Sequence, residues 1–124
     1  MREISVDKIR ANILELCSES EYGSWEFWST KKNKTKAEGR LIIRVISELV
    51  KEKKIYPIEY ESVADQTYKP VRLDILRLKN EIKRSMKPYN VDPLKFYWFL
   101  ATEEGKKEDF WLRAKMRTEY GKDQ

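Results

Sequence analysis

The stretch AEGRLIIRVISELVKEKKIYPIEYE, Ala37 to Glu61, decides the fold, because the apolar period changes inside it. Leu41, Ile42, Val45, Ile46, Leu49 and Val50 recur at helical spacing, which predicts a helix from about Ala37 to Lys54 with one broad apolar face. Lys51, Lys53 and Lys54 fill its last turn, where cations suit the helix dipole. Beyond Lys54 the period drops to that of a strand over Ile55 to Glu61, with Tyr56, Ile58 and Tyr60 on one face. Pro57 has no N–H to give a ladder, so this strand is expected at a sheet edge or paired on one side only. An amphipathic helix running into a strand points to an α+β chain, because each must bury its apolar face against a second layer.

On the N-terminal side, Ser5 is a plausible N-cap for a helix that places Val6, Ile9, Ile13, Leu16 and Cys17 on one face and ends near Ser20. Gly23 breaks it. Trp25, Phe27 and Trp28 then form an aromatic knot, readable as a turn, a short strand or the start of a small helix. Lys31 to Lys36 (KKNKTK) form a polar basic loop.

On the C-terminal side, a polar connection from Ser62 to Pro70 leads to a third helix carrying Val71, Ile75, Leu78, Ile82 and Met86, stopped by Lys87-Pro88. Leu94 to Thr102 (LKFYWFLAT) is apolar on both alternating sets and reads as a strand covered on both faces. After a turn from Glu103 to Asp109, Phe110, Leu112, Ala114 and Met116 alternate with Trp111, Arg113, Lys115 and Arg117, which predicts the second arm of a hairpin with one buried and one basic face. Thr118 to Gln124 read as a frayed tail. The expectation is a single domain over residues 1–124: three helices packed on a small, mostly antiparallel sheet with a C-terminal hairpin.

Composition narrows the function. The 124 residues carry 26 Lys+Arg against 21 Asp+Glu, a net charge of +5, and 12% aromatics, enough apolar material for a core. No apolar run approaches a membrane span, and the N-terminus lacks a signal peptide's hydrophobic region, so the expected location is the cytoplasm. Cys17 is the one cysteine, which rules out an intramolecular disulfide and leaves too few thiolates for a zinc cage; its expected role is a small buried apolar residue. The absence of histidine removes Ser-His and Cys-His nucleophile pairs, imidazole acid-base catalysis and most transition-metal sites. The carboxylate pairs Glu103/Glu104 and Glu108/Asp109 fall in the expected exposed turn, and no glycine pattern cradles a phosphate. Neither an enzyme signature nor a cofactor or metal site is legible, and none is expected.

Two surfaces remain. Lys31, Lys32, Lys34, Lys36, Arg40 and Arg44 concentrate positive charge, which suits phosphate counterion release on nucleic acid or, more simply, a solvated basic face. Trp111, Arg113, Lys115 and Arg117, with Trp28 of the aromatic knot, combine aromatics and cations as a protein-binding patch or a single-stranded nucleic-acid face would; the simpler readings are an ordinary solvent face of an antiparallel strand and, for the knot, a satellite of the core.

The pieces SWEFW (Ser24 to Trp28), ELVKEKKIYPI (Glu48 to Ile58) and YWFLAT (Tyr97 to Thr102), in that order over most of residues 1–102, resemble the layout of small bacterial immunity and inhibitor proteins of polymorphic or contact-dependent toxin systems. Two features depart from that layout: Lys53-Lys54 stands where a helix-ending glycine is common, and the chain is basic where many nuclease-blocking immunity proteins are acidic. The resemblance implies a non-enzymatic protein that neutralises a toxin domain, and complementarity to the basic face of Arg113, Lys115 and Arg117 would require an acidic patch on that partner. The rival expectations are a small winged-helix-like DNA- or RNA-binding regulator, and a phage-encoded inhibitor of a host defence complex.

Overall fold

The structure is a computed structural model that describes residues 6–24, 26–29, 36–62, 64–84 and 96–121, with backbone alone at Trp28, Ser29, Lys36, Arg84 and 116–121. Its elements run α1 (Val6–Glu19), β1 (Tyr22–Gly23), α2 (Glu26–Ser29), α3 (Lys36–Lys51), β2 (Ile55–Ser62), β3 (Thr67–Pro70), α4 (Ile75–Arg84), β4 (Trp98–Ala101) and α5 (Glu103–Gly121). The α+β class holds, and the strands form one antiparallel sheet in the order β1-β4-β2-β3.

Most of the helical positions read in the sequence enter the core; Leu14 joins them although the period did not single it out, and Val6, Leu16, Leu41 and Val50 are only partly buried. Ile9, Ile13, Leu14 and Cys17 of α1 and Ile42, Val45, Ile46 and Leu49 of α3 are buried, joined by Leu78 and Ile82 of α4 and by Ile55, Phe99 and Ala101 from one sheet face. Among the helices, α5 packs on α1, α1 on α3 and α3 on α4. Alternation sends Tyr56, Ile58, Tyr60, Trp98 and Leu100 to the other sheet face, where Tyr60 stands edge-on to Trp98, 5.0 Å between ring centroids. Phe27 is buried and leans on Phe99, so this member of the aromatic knot belongs to the core. Trp25 and the expected Ser5 cap lie outside the described residues.

Three expectations change. The third helix begins at Ile75 rather than Val71, because Asp74 caps it: its Oδ1 accepts the N–H groups of Leu76 (3.0 Å) and Arg77 (3.3 Å). Ile75 therefore falls in the first turn and is 38% exposed, while Leu78 and Ile82 are buried as the spacing requires. Its expected stop at Lys87-Pro88 lies outside the described residues.

Secondly, β2 is an interior strand, paired with β3 on one side and β4 on the other. Pro57 is tolerated there because its carbonyl accepts from Val71 (3.1 Å), just past the end of β3. In an antiparallel ladder N–H and C=O of one residue point the same way, so the missing N–H faces that strand end and the ladder to β4 is intact. Pro70, paired with Ile58, directs its nitrogen outward from edge strand β3. The connection Ser62 to Pro70 thus contains a strand that its polar composition concealed.

Thirdly, the C-terminal hairpin does not form: β4 ends at Ala101 and residues 103–121 are helix. Thr102 starts it as N-cap, accepting the Gly105 N–H at 3.1 Å, with Glu103 and Glu104 in the first turn. The inward line Gly105, Asp109 and Leu112 has helical spacing. Helix formers throughout Leu112–Met116 outweigh the accidental two-residue alternation. Residues 118–121 of the expected tail belong to α5.

Candidate functional site

The outer face of α5 is a candidate because of how firmly its inner face is held. Lys54 N–H bonds the Leu49 carbonyl (2.8 Å) and Lys53 N–H the Val50 carbonyl (3.1 Å), which ends α3 in a Schellman motif with Lys53 at φ 60°. Thr102 then docks on this cap, its Oγ1 donating toward the Lys53 and Lys54 carbonyls (2.6 and 3.1 Å). A Cβ at Gly105 would stand 1.9 Å from the Lys54 carbonyl oxygen, so only glycine lets α5 approach this closely. Arg10 of α1 clamps the helix one turn later. Its Nε and Nη2 donate to both Glu108 oxygens (2.8 and 2.9 Å), while Nη1 and Nη2 reach Glu52 (2.9 and 3.2 Å). Hydrogen bonds from Arg10 hold the Glu108 carboxyl below its ordinary range. Asp109, 2% exposed, accepts from Arg113 at 2.7 Å.

With that side committed, α5 turns Phe110 (67% exposed) and Trp111 (72% exposed) outward. Beside Trp111 runs a groove of about 440 Å³ lined by Glu108, Trp111, Leu112, Ala114 and Lys115. Among the described residues these two rings are the most exposed, ahead of Tyr68 at 46%, and adjacent exposed aromatics of this size mark a surface suited to binding.

The helix redistributes the expected patch. Trp111 and Lys115, four apart, share a face, whereas Arg113 leans back to Asp109, so the basic face Trp111, Arg113, Lys115, Arg117 is not assembled as a strand would assemble it. Phe110, expected inside, is outside. Arg117 and Trp28 lie on α5 and α2, with nothing described of their side chains. Of the expected nucleic-acid set, Lys31, Lys32 and Lys34 lie outside the described residues and Lys36 opens α3. Arg40 and Arg44 are exposed on α3 and border a groove of about 380 Å³ shared with Ile75 and Lys79 of α4.

Sequence reasoning missed a buried polar cluster at the other end of the helices. Glu81 of α4 is 4% exposed, and its Oε1 accepts the Ser24 hydroxyl and the Tyr97 N–H (2.9 Å). Its Oε2 accepts from Arg77 Nε at 2.8 Å, and Arg77 also binds Glu59 of β2. The guanidinium lies 4.0 Å over the Tyr97 ring, whose hydroxyl bonds the Asp74 N–H (2.9 Å) and the Arg72 carbonyl (3.1 Å). Burial pushes the Glu81 carboxyl above its ordinary range despite these donors. The one available signal was position: Glu81 shares the helical face of Leu78 and Ile82. The cluster ties α4 to Glu59 of β2 and to Ser24 and Tyr97, which flank β1 and β4, and these internal bonds give it a structural role. A polar cleft of about 370 Å³ lies where Glu19, Glu21, Tyr56, Tyr68 and Lys106 meet, and Tyr60 donates to Glu21 at 2.8 Å beside it.

Cys17 is buried, and burial pushes its thiol pKa up, away from reactivity. Among the described residues no group of three or more His, Cys, Asp or Glu is placed to hold a metal ion, and no helix is long and apolar enough to cross a membrane.

Comparison of the chain with protein-family models, with curated proteins and with solved structures finds no match.

Proposed function

We propose that this chain is a non-enzymatic, cytoplasmic protein-binding module that docks a partner on the outer face of α5, acting as an immunity or inhibitor protein toward a toxin domain. The observation that carries the binding reading is the exposed pair Phe110 and Trp111 on a helix whose opposite face is fixed by the Gly105 and Arg10 contacts. A rigid support lowers the ordering cost of association, and aromatics of this size dominate interface energetics. Lys107 and Lys115 near the pair suit a partner with an acidic patch, and would act mainly on the association rate. The toxin assignment rests on the layout resemblance of Ser24–Trp28, Glu48–Ile58 and Tyr97–Thr102, and the lack of histidine supports binding without catalysis.

The test is affinity capture from the native host with wild type and with Phe110→Ala plus Trp111→Ala, analysing both protein and nucleic acid. The expected result is one protein held by wild type, toxic when expressed alone, silenced by co-expression of this chain, and bound about 30-fold or more weakly by the variant, or roughly 2 kcal/mol. Recovery of nucleic acid instead, lost on Arg40→Glu plus Arg44→Glu but not on the aromatic substitutions, transfers the function to nucleic-acid regulation.

A further inference from the structure

We propose that the groove between α3 and α4 is a second docking site, shaped for an acidic amphipathic helix of a protein partner. Arg40, Ile43, Arg44 and Ser47 form one stripe of α3, and Ile75 and Lys79 one stripe of α4; together they line a groove of about 380 Å³. Its floor is aliphatic. Ile75 is 38% exposed because the Asp74 cap starts α4 just before it, and Leu76, 68% exposed, extends apolar surface beyond the rim.

The rim is cationic. Arg40, Arg44 and Lys79 line the groove, and among the described residues that line it there is no carboxylate. Arg44 donates its Nε to Glu48 (3.1 Å) while its side chain stays 66% exposed, and a guanidinium has further N–H groups to offer. A floor that rewards aliphatic side chains between rims that reward carboxylates matches a helix with Leu or Ile at i and i+4 flanked by Glu or Asp.

The same observations disfavour other occupants. Phosphate contacts would use the cations and leave Ile43 and Ile75 unmatched, since backbone binding is electrostatic and needs no aliphatic floor. The chain's own Lys31–Lys36 stretch carries the same sign as the rim, and so do Lys107 and Lys115 around the exposed aromatics of α5, which argues against self-docking through either.

The probe is a fluorescein-labelled synthetic helix-forming peptide with Leu at i and i+4 flanked by Glu, titrated with the full chain by fluorescence anisotropy. Its counterpart with Lys for Glu, a duplex oligonucleotide and anionic phospholipid vesicles serve as the other arms. The Glu peptide should bind at least about tenfold more tightly than the Lys peptide. Arg44→Glu plus Lys79→Glu should weaken it about a hundredfold, Lys79→Gln about threefold, and Ile75→Asp about tenfold. Unaltered circular dichroism and Tm check folding, and the milder Lys79→Gln carries the test if the double reversal does not fold. Phe110→Ala plus Trp111→Ala should leave peptide binding unchanged, which separates this proposal from the α5 reading. Glu-peptide binding indifferent to the α3 and α4 substitutions, no binding of that peptide at all, or preferential binding of the oligonucleotide or vesicles lost on the same reversals would each overturn it.

Discussion

Arg10 and Arg77 each bridge two carboxylates from different parts of the chain, yet the two bridges differ in kind. The arginines themselves are comparably covered, 20% and 32% of the side chain exposed. Their partners are not: Glu108 is 25% exposed, whereas Glu81 is 5% exposed. Arg10 pulls the Glu108 carboxyl down, while burial pushes Glu81 up although it accepts three hydrogen bonds. Burial of the acid, rather than of the base, decides whether pairing or desolvation wins. The α5 end of the molecule is held by a clamp whose carboxylates solvent reaches, and the α4 end by a cluster built on one carboxylate, Glu81, that solvent does not reach.

The largest expected effect tests that contrast directly. Arg77→Leu leaves Glu81 buried with only the Ser24 hydroxyl and the Tyr97 N–H, and should cost about 3–5 kcal/mol, the range for stripping one partner from a buried pair. Arg10→Leu leaves Glu108 and Glu52 able to turn to water and should cost about 1–2 kcal/mol, between the surface and buried limits. Urea unfolding of both variants at neutral pH measures the difference. Equal losses would break the comparison.

These two ends were also unequally legible in the sequence. Ile9, Ile13, Ile42, Val45, Ile46, Leu49, Leu78 and Ile82 were readable as core because an amphipathic helix announces its buried face by period alone. Glu81 was not, since a charged residue inside NEIKR looks like solvent-facing composition unless its neighbours on the helical face are weighed. Pro57 misled because proline reports a missing donor but not the direction in which that donor would have pointed. Residues 110–117 misled because WLRAKM satisfies a two-residue alternation over a window too short to exclude the helical period, and the Thr102 cap and Gly105 contact that decide it depend on Lys53 and Lys54, some fifty residues earlier. The exposed partner-binding candidate shifted for the same reason: Trp111 kept its place outside, Phe110 joined it, and Arg113 turned to Asp109.

The pH dependence sharpens the comparison at an intermediate size of effect. Glu108 has a depressed native pKa, so its contribution is present above its unfolded value and is lost as pH falls through the native one. Glu81 has a raised native pKa, so its contribution is greatest below its unfolded value and is lost as pH rises through the native one. Between about pH 5 and about pH 3, Arg10→Leu should therefore lose less stability than wild type. Glu81→Gln should flatten the decline on the other side, from about pH 4.5 upward. Urea midpoints at constant ionic strength read both. A Glu81→Gln profile parallel to wild type above that pH would show that desolvation does not govern the α4 cluster.

The smallest effect concerns strain at the α5 end, where the clamp and the α3 cap meet. Lys53 holds φ 60° as the residue that ends the Schellman motif, a conformation in which a Cβ crowds its own carbonyl and which helices usually assign to glycine. The carbonyls of Lys53 and Lys54 are what Thr102 grips, so this strained turn positions the first turn of α5. Lys53→Gly keeps those carbonyls and removes the Cβ, and the relief of the left-handed backbone exceeds the added freedom of the unfolded chain. The expected result is a gain of about 0.5–1 kcal/mol in urea unfolding, with the Arg10 to Glu108 contact and the pH profile unchanged. Loss of stability on Lys53→Gly would mean that its side chain is worth more than the backbone it strains, and the α5 end would then be held by more than its cap, its glycine and its arginine.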